Sequence, residues 1–128
     1  MKNLFILLNH TINNDQKQSA INNGIENFIA LPPKLQNIWH NIPPMQEKLY
    51  PLLSPVRQWL CKKASPGDFI LIQGDFGATY LMVKFAFEQS LVPVYATTKR
   101  NAVEKRLDDG SIKMEHIFNF CRFRKYGI

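Results

Sequence analysis

The sequence predicts an α/β domain with a parallel sheet at its core and an antiparallel β-hairpin at its C-terminal end. Two observations lead to this prediction. Short apolar runs, typical of strands buried on both faces, alternate along the chain with stretches of helical periodicity. An Asp-Gly turn follows the last of these runs and separates two possible strands. With 128 residues, of which 45% are hydrophobic, the chain is predicted to form one domain over residues 1–128.

The N-terminal part predicts one strand and one helix. The continuous apolar run "LFILL" at residues 4–8 is the first strand. Apolar residues then recur at helical spacing, so a helix is predicted from Asp15, as its N-cap, to about Leu31, where two prolines end it. Residues 32–66 hold seven of the eight prolines and are predicted as a broken helical connection.

The C-terminal part predicts two more strands, the helices between them and the hairpin. Ser54 is predicted to cap a helix that has Pro55 at its first position. The runs "FILI" (69–72) and "VPVYA" (92–96) are predicted strands, and the helix between them is amphipathic. Residues 100–121 are predicted as the hairpin, although its first arm could also form a helical turn.

Charge and the absence of targeting signals limit the classes of partner that are expected. The formal net charge is +6, and the chain from Lys99 onward holds eight basic and four acidic residues, which favours a phosphate-bearing partner. The start "MKNLFILL" has too short an apolar run for a membrane helix, and no small-residue cleavage site follows it. A soluble cytoplasmic protein without a membrane partner is therefore expected, and no DNA partner is expected.

The cysteines and histidines predict no metal site. Cys61 and Cys121 form no CxxC motif and are interpreted as two reduced, partly buried thiols, with a single disulfide as the alternative. His10, His40 and His116 have no metal-ligand spacing with one another. No metal and no cofactor are therefore expected.

Three polar clusters follow the three predicted parallel strands. They are Asn9-His10-Thr11, Gln73-Gly74-Asp75-Phe76-Gly77 and Thr97-Thr98-Lys99-Arg100. Ligands of open parallel sheets bind outside the carboxyl ends of the strands, so the clusters are predicted to converge on one ligand site.

Each cluster has a functional and a structural interpretation. The glycines of "QGDFG" suit a phosphate at a helix N-terminus, but the segment also fits a tight turn in which Asp75 caps the helix. The cluster "TTKR" suits a phosphodiester or is a solvated strand end. His10 is a candidate general acid or base, or it caps the strand by hydrogen bonding. All three pairs of readings stay open.

Aromatic and basic residues interleave near the C-terminus. Phe118, Phe120 and Phe123 alternate with Arg122 and Arg124, as in a platform for single-stranded RNA. The same pattern arises when one strand face packs in the core and the other is solvated. Residues 121–128 are interpreted as a basic tail.

Four segments resemble a small family of proteins from type III CRISPR loci, several of which are regarded as ring nucleases. They are "LFILLNHTINNDQ", "PGDFILIQGDFGATYLMV", "PVYATTKRNAVE" and "DGSIKMEHIFNFCRFRKY", and the resemblance is weakest across residues 32–66. Its members look like minimal relatives of the Rossmann-like domains that bind cyclic oligoadenylates. The resemblance therefore implies a small Rossmann-like three-layer α/β domain.

The resemblance also implies an activity. It implies a homodimer that binds a cyclic oligoadenylate, most often the four-membered ring, across its two-fold axis. Cleavage would be metal-independent: a ribose 2′-hydroxyl attacks the adjacent phosphate and leaves a 2′,3′-cyclic phosphate, which requires positioning and charge stabilisation.

The resemblance assigns roles to the three clusters. His10, Lys99 and Arg100 are the implied catalytic residues, His10 by proton transfer and the two cations by stabilising the anionic transition state. The implied substrate-binding residues are Asn9, Thr11, Gly74, Asp75, Phe76, Gly77, Thr97 and Thr98.

Two other functions fit the same sequence. The protein could bind a cyclic oligonucleotide without cutting it, as a sensor or sponge. It could also be a single-stranded RNA-binding module that uses the basic aromatic segment from Phe118 to Tyr126.

Overall fold

A computed structural model describes residues 2–128, which form five strands and four helices. In chain order the elements are β1 (Lys2–Leu7), α1 (Asn14–Asn22), β2 (Ile25–Ala30), α2 (Pro33–His40), α3 (Ser54–Lys63), β3 (Phe69–Ile72), α4 (Phe76–Glu88), β4 (Val92–Arg106) and β5 (Ile112–Lys125). Within the described residues, no helix is long and apolar enough to cross a membrane.

The five strands form one sheet in the order β2-β1-β3-β4-β5. β1 pairs in parallel with both β2 and β3, and β3 pairs in parallel with β4, whereas β5 pairs antiparallel with β4. The chain moves from β1 outward to β2 and then returns to β3 on the other side of β1. The strand order therefore reverses between β1 and β3, and this switch point is where such sheets bind ligands.

Helices cover both faces of the sheet and give three layers. One core cluster joins Phe5, Ile70 and Ile72 to residues of α2, α3 and α4, among them the buried Trp39 and Met82. The other cluster joins alternate residues of β1 and β3, among them Leu4 and Leu71, and Val94 of β4 to Ala20 of α1. Because successive strand side chains point to opposite faces, β1 and β3 each serve both clusters, as their continuous apolar runs predict. The predicted α/β class with a parallel core and a C-terminal hairpin is confirmed.

The predicted helix from Asp15 to Leu31 is wrong in its second half. α1 ends at Asn22, and Gly24 has φ +91°, a left-handed conformation that stops a helix. Residues Ile25–Ala30 then form β2, an edge strand paired with β1. Ile25, Phe28 and Ile29 fit helical spacing too, so periodicity over so short a stretch does not separate the two structures.

Two predicted helix caps also differ from the structure. Asn13, two residues before Asp15, caps α1: its side chain accepts from the backbone N–H of Gln16, whose own side chain accepts from the N–H of Asn13. In α3 the N-cap position belongs to Leu53, and Ser54 is the first helical residue.

The two cysteines are free and exposed, not partly buried as predicted. Cys61 lies on α3 and Cys121 on β5.

The largest difference concerns the third predicted strand, which does not end at residue 96. β4 continues through Thr97 and Arg100 to Arg106 and pairs with β5 over its whole extension. The hairpin is therefore longer than residues 100–121, its first arm is a strand, and residues 121–125 belong to β5 instead of a tail. Asp109 and Gly110 form its turn, as predicted, with Gly110 at φ +85°.

The outer part of the hairpin extends beyond the rest of the sheet. We call the paired segments 98–106 and 112–120 the ribbon. The last parallel rung joins Leu71 of β3 to Val94, so the ribbon has no third strand beside it among the described residues. A β-bulge at the base of the ribbon leaves Cys121 without an opposite residue, since Thr97 pairs with Arg122 and Thr98 with Phe120.

Candidate functional site at the carboxyl edge of the sheet

The first two polar clusters leave the sheet side by side at the switch point. Leu7 and Ile72 are neighbouring rungs of β1 and β3, and the N–H of Gln73 donates to the carbonyl of Leu7 at 3.0 Å. The chains that follow carry Asn9-His10-Thr11 on one side and Gly74 to Gly77 on the other, all of them exposed. We call these two segments the carboxyl edge. The predicted convergence of these two clusters on one edge therefore agrees with the strand register.

His10 is held with one ring nitrogen toward the backbone. Its Nδ1 lies 3.0 Å from the carbonyl oxygen of Thr11, a pairing in which Nδ1 carries the proton and donates. In the neutral ring Nε2 is then the acceptor, the form that a general base needs. The ring is exposed at the edge, so it can reach a ligand.

Gly74 is required for packing against α2. A Cβ added at Gly74 would lie 3.0 Å from Cζ2 and Nε1 of Trp39. The same indole donates from Nε1 to the carbonyl of Gln73 at 3.1 Å. α2 therefore closes over the end of β3, and the missing side chain at position 74 is explained by this close approach.

Asp75 caps α4. Its Oδ1 accepts from the backbone N–H of Ala78 at 2.9 Å, which satisfies one of the N–H groups at the helix N-terminus. The structural interpretation of this carboxylate is therefore the observed one. Its negative charge also occupies the position where a helix N-terminus would attract a phosphate, so a ribose hydroxyl suits this point better than a phosphate oxygen.

Two aromatic side chains stand exposed beside the glycines. The side chain of Phe76, the first residue of α4, is 93% exposed, and that of Tyr80 is 67% exposed. Residues four apart lie on the same face of a helix, so the two rings form one exposed aromatic patch. Such a patch can stack a nucleobase. Tyr80 was missed by the sequence reasoning, although its spacing from Phe76 could have indicated it.

The third cluster does not act as one group. Side chains alternate along β4, so Thr97 and Lys99 face the side of α2, α3 and α4, whereas Thr98 and Arg100 face the side of α1. Lys99 and Arg100 therefore point to opposite faces of the ribbon. The hydroxyl of Thr97 is engaged at the bulge, where it donates to the carbonyl of Arg122 at 3.0 Å and accepts from its N–H at 3.2 Å.

The interleaved aromatic and basic residues are also separated by the strand. Phe123 packs against the core cluster on the α1 side, and its ring centroid lies 5.1 Å from that of Phe120. Arg124 lies on the other face, where its guanidinium donates to the hydroxyl of Tyr95 at 2.9 Å. These phenylalanines and Arg124 do not share a face, so they do not form a single RNA-binding platform.

α2 brings a second histidine to the carboxyl edge, which the sequence reasoning did not assign to the site. The Nε2 atoms of Gln36 and His40 lie 3.0 and 2.9 Å from the carbonyl oxygen of Leu8, and the two side chains also contact each other. His40 therefore lies at the end of β1, where it contacts Leu8, and Leu8 is two residues before His10 in the chain. The helical spacing of Gln36 and His40 predicts their common face but not the strand that it meets.

Gln73 connects the edge to the ribbon. Its side-chain Oε1 accepts from the N–H of Ala96 at 2.8 Å, two residues beyond Val94 of the last parallel pair. The amide oxygen thus takes the place of a backbone acceptor between β3 and β4. This hydrogen bond joins the end of β3 to the segment of β4 just before the ribbon.

Tyr126 fastens the C-terminal segment to the same sheet. Its hydroxyl donates to the carbonyl of Ile72 at 2.6 Å, and its N–H donates to the carbonyl of Pro93 at 3.0 Å. Burial raises the pKa of Tyr126 above its usual value, and the neighbouring Tyr95 raises it further.

The carboxyl edge is an open surface on one copy of the chain. Two cavities, of about 590 and 470 Å³, lie elsewhere, between α1 and β5 and between α3 and α4. Across residues 2–128, no group of three histidine, cysteine or acidic side chains is arranged to hold a metal ion.

The fold defines a class: small α/β proteins with an open, mostly parallel sheet and a strand switch point, where such sheets commonly bind ligands. Within that class the chain belongs to the family described as "Uncharacterized protein MJ1673 family", whose model matches residues 2–124. It is similar to "Uncharacterized protein MJ1673" of Methanocaldococcus jannaschii, with 46% identity over 127 residues and 98% of each chain covered. No solved structure matches the chain. The family description and the relative's name specify no activity.

Proposed function

We propose that the protein is a ring nuclease, which binds a cyclic oligoadenylate at the carboxyl edge and cleaves it without a metal ion. The observation that carries the proposal is the register of β1 and β3, which leads His10 and the segment Gly74–Gly77 out of the sheet as neighbours. The four-member ring is the ligand we favour. The proposal includes a homodimer and a cytoplasmic location.

The edge supplies groups for the two parts of a nucleotide. The exposed rings of Phe76 and Tyr80 offer a stacking surface for adenine. Backbone groups near Gly74 and the carboxylate of Asp75 suit the ribose edge. Lys99 makes no ion pair within the described residues. It lies on the face of β4 toward α4, farther along the strand direction than the carboxyl edge, and its charge suits a phosphate.

The reaction needs one proton acceptor and a stabilised phosphorane. The ribose 2′-oxygen attacks the adjacent phosphorus and forms the 2′,3′-cyclic phosphate, while the bond from phosphorus to the 5′-oxygen breaks. Nε2 of His10 takes the proton of the 2′-hydroxyl, and the leaving 5′-oxygen receives a proton from water. Lys99 stabilises the charge on the equatorial oxygens.

The test is chromatography of the products from a panel of cyclic oligoadenylates incubated with the protein in EDTA. We expect linear products ending in a 2′,3′-cyclic phosphate. Lys99→Ala should slow cleavage about a hundredfold, because a charge that stabilises the transition state is lost. The matched control is Lys63→Ala, an exposed lysine in the last turn of α3 that should leave the rate unchanged. Rings that stay intact at every enzyme concentration would contradict the nuclease proposal.

One observation favours a second candidate, a non-catalytic sensor or sponge. Lys99 and Arg100 point to opposite faces of β4, so on one copy of the chain they cannot stabilise the same phosphate. Tight binding of a cyclic oligoadenylate without any product, at several pH values, would select this function. Binding is measured by calorimetry with the same panel.

A further inference from the structure

The ribbon carries a mostly apolar stripe, with His116 at its middle, on the face that lies toward α1. Cross-strand partners share a face, and the bulge at Cys121 returns Phe120 to the same face as Phe123. The β5 side chains on that face, which we call the stripe, are Ile112, Met114, His116, Phe118 and Phe120. Ile112, Met114 and Phe118 are 57%, 51% and 64% exposed. The stripe begins at the core, where Phe123 packs, and continues outward along the ribbon.

An uncovered stripe of this kind destabilises the ribbon that bears it. The nine rungs from Thr98 to Arg106 extend about 30 Å beyond the sheet. A two-stranded ribbon without a third strand or a covering layer is marginally stable in water. A partner that covers the stripe must therefore be present whenever the protein is folded. A second copy of the chain meets that condition.

The stripe face is self-complementary about its middle rung, which pairs Ala102 with His116. Ile112 and Phe120 are equidistant from His116, as are Met114 and Phe118, so an antiparallel copy sets apolar against apolar side chains. On β4, Arg100 and Glu104 are equidistant from Ala102. The same two-fold operation therefore sets Arg100 against the partner's Glu104, and Glu104 against the partner's Arg100.

We propose that two copies pack ribbon against ribbon, stripe face to stripe face, about a two-fold axis at the Ala102–His116 rung. The sheets then lie about 10 Å apart, as in a β-sandwich. On the axis, Ala102 faces the partner's Ala102 and His116 faces the partner's His116. Each interface is isologous, since every contact occurs twice.

The dimer also changes the composition of the site. Thr98 and Arg106 are equidistant from Ala102, so the partner's Arg106 lies opposite Thr98, on the α1 side from which His10 and Thr11 lead into α1. Each carboxyl edge thereby gains the basic tip of the other ribbon. The two edges stay apart at opposite ends of the paired ribbons, so each holds its own ligand instead of sharing a ring on the axis, as the resemblance implies.

The oligomeric state of the full chain, measured by analytical ultracentrifugation over a concentration series, tests the proposal. The wild-type chain should be a dimer. Phe118→Asp should weaken dimerisation by about tenfold or more, because a charge enters the apolar contact. The matched control is Ile117→Asp, whose side chain is 44% exposed on the opposite face of the same strand and which should stay dimeric.

A charge exchange separates specific pairing from general stickiness and does not disturb the stripe. Arg100→Glu alone and Glu104→Arg alone should each weaken the dimer, and the double variant should restore it. A monomeric wild type would overturn the interface, as would an equal loss of dimer in Phe118→Asp and Ile117→Asp. A double charge variant that dimerises no more tightly than either single charge variant would also overturn it. A monomer that instead binds single-stranded RNA through Phe118 would assign the stripe to nucleic acid.

The inference deepens the homodimer of the proposed function but is measured without any ligand. A dimer that cuts no ring would support the interface and contradict the nuclease proposal. A monomer that cuts rings would contradict the interface and support the nuclease proposal, so the two failures are distinguishable.

Discussion

His10 has a geometry in which proton transfer and structural roles can be separated. Its Nδ1 donates to the carbonyl of Thr11, and Nε2 is then the acceptor. His10→Asn keeps a donor of similar reach but removes the ring nitrogen that accepts the proton. We expect cleavage of cyclic tetra-adenylate to fall about a hundredfold or more while the affinity changes little.

The measurements for His10→Asn are single-turnover rates and ligand binding by calorimetry on the same samples. His40→Asn is the informative comparison, since its ring also lies at the edge but bonds to the carbonyl of Leu8. Equal affinity and equal rate for wild type and His10→Asn would remove His10 from the mechanism.

Tyr126 makes the stability of the protein depend on alkaline pH. Burial and Tyr95 raise the pKa of Tyr126 above its usual value of 10.0, so its contribution to stability is complete below pH 10. That contribution is lost as the pH rises through the raised pKa, because the unfolded chain ionises first. Tyr126→Phe should reduce the fall of the free energy of unfolding at alkaline pH. At neutral pH the variant should be less stable by about 1 kcal/mol, because the hydrogen bond to Ile72 is missing.

Urea unfolding across the alkaline range measures the effect of Tyr126→Phe. Tyr50→Phe removes a phenol from a residue that is 60% exposed and should keep the wild-type slope. An unchanged alkaline slope in Tyr126→Phe would show that this phenol does not govern it.

At the scale of elements, buried strands were predictable and the edge strand was not. β3 was predicted at its observed bounds, because a short apolar run flanked by Pro-Gly-Asp and Gly-Asp-Phe-Gly allows little else. β2 was missed because this edge strand has few buried residues, and its apolar residues also fit helical spacing. Tertiary pairing with β1 decides its structure.

The candidate site was predictable only where it depends on strand ends. Two clusters lie at the carboxyl edge because β1 and β3 end there, as their sequences indicate. The "TTKR" cluster was misplaced because no glycine or proline marks the end of a strand, and in fact the strand continues. Period-two alternation then separates Lys99 from Arg100, which became evident only once the segment was known to be a strand.

The contact between α2 and the end of β3 gives a prediction at the same scale. Gly74→Ala should destabilise the protein by about 1–3 kcal/mol, because the new methyl group meets the rigid indole of Trp39 at 3.0 Å. Gly77→Ala is the matched control in the next turn. Its methyl group would meet the flexible end of Leu49 at 3.2 Å and Oδ1 of Asp75 at an ordinary contact distance of 3.5 Å. Since alanine favours the helix, we expect little loss or a gain.

Thermal unfolding of both alanine variants and of Gly74→Ala combined with Trp39→Phe measures this contact. The smaller ring leaves room for the methyl group, so the double variant should lose less than the sum of the single variants. Additive losses would show that the two residues do not compete for the same space.

The whole molecule has a rigid three-layer body and a projecting ribbon. Ile70, Leu71 and Ile72 of β3 are fully buried between neighbouring strands and helices. The ribbon has neither layer on its own. In the Phe118→Asp variant, amide hydrogens of residues 98–106 should therefore exchange much faster than those of β3.

Hydrogen exchange followed by mass spectrometry checks this difference, with Ile117→Asp as the control that keeps a covered ribbon. In the control we expect protection of residues 98–106 to approach that of the wild type. Equal protection of the ribbon in both variants would indicate that it is stable without a partner.

The position of β5 after the other four strands has a consequence for synthesis of the chain. The four parallel strands β1 to β4 precede β5 in sequence, so they leave the ribosome before it. Domains fold as their segments emerge, so the body can form while the second arm of the ribbon is still being made. The stripe lies on β5, so two nascent chains that still lack β5 cannot pair through it.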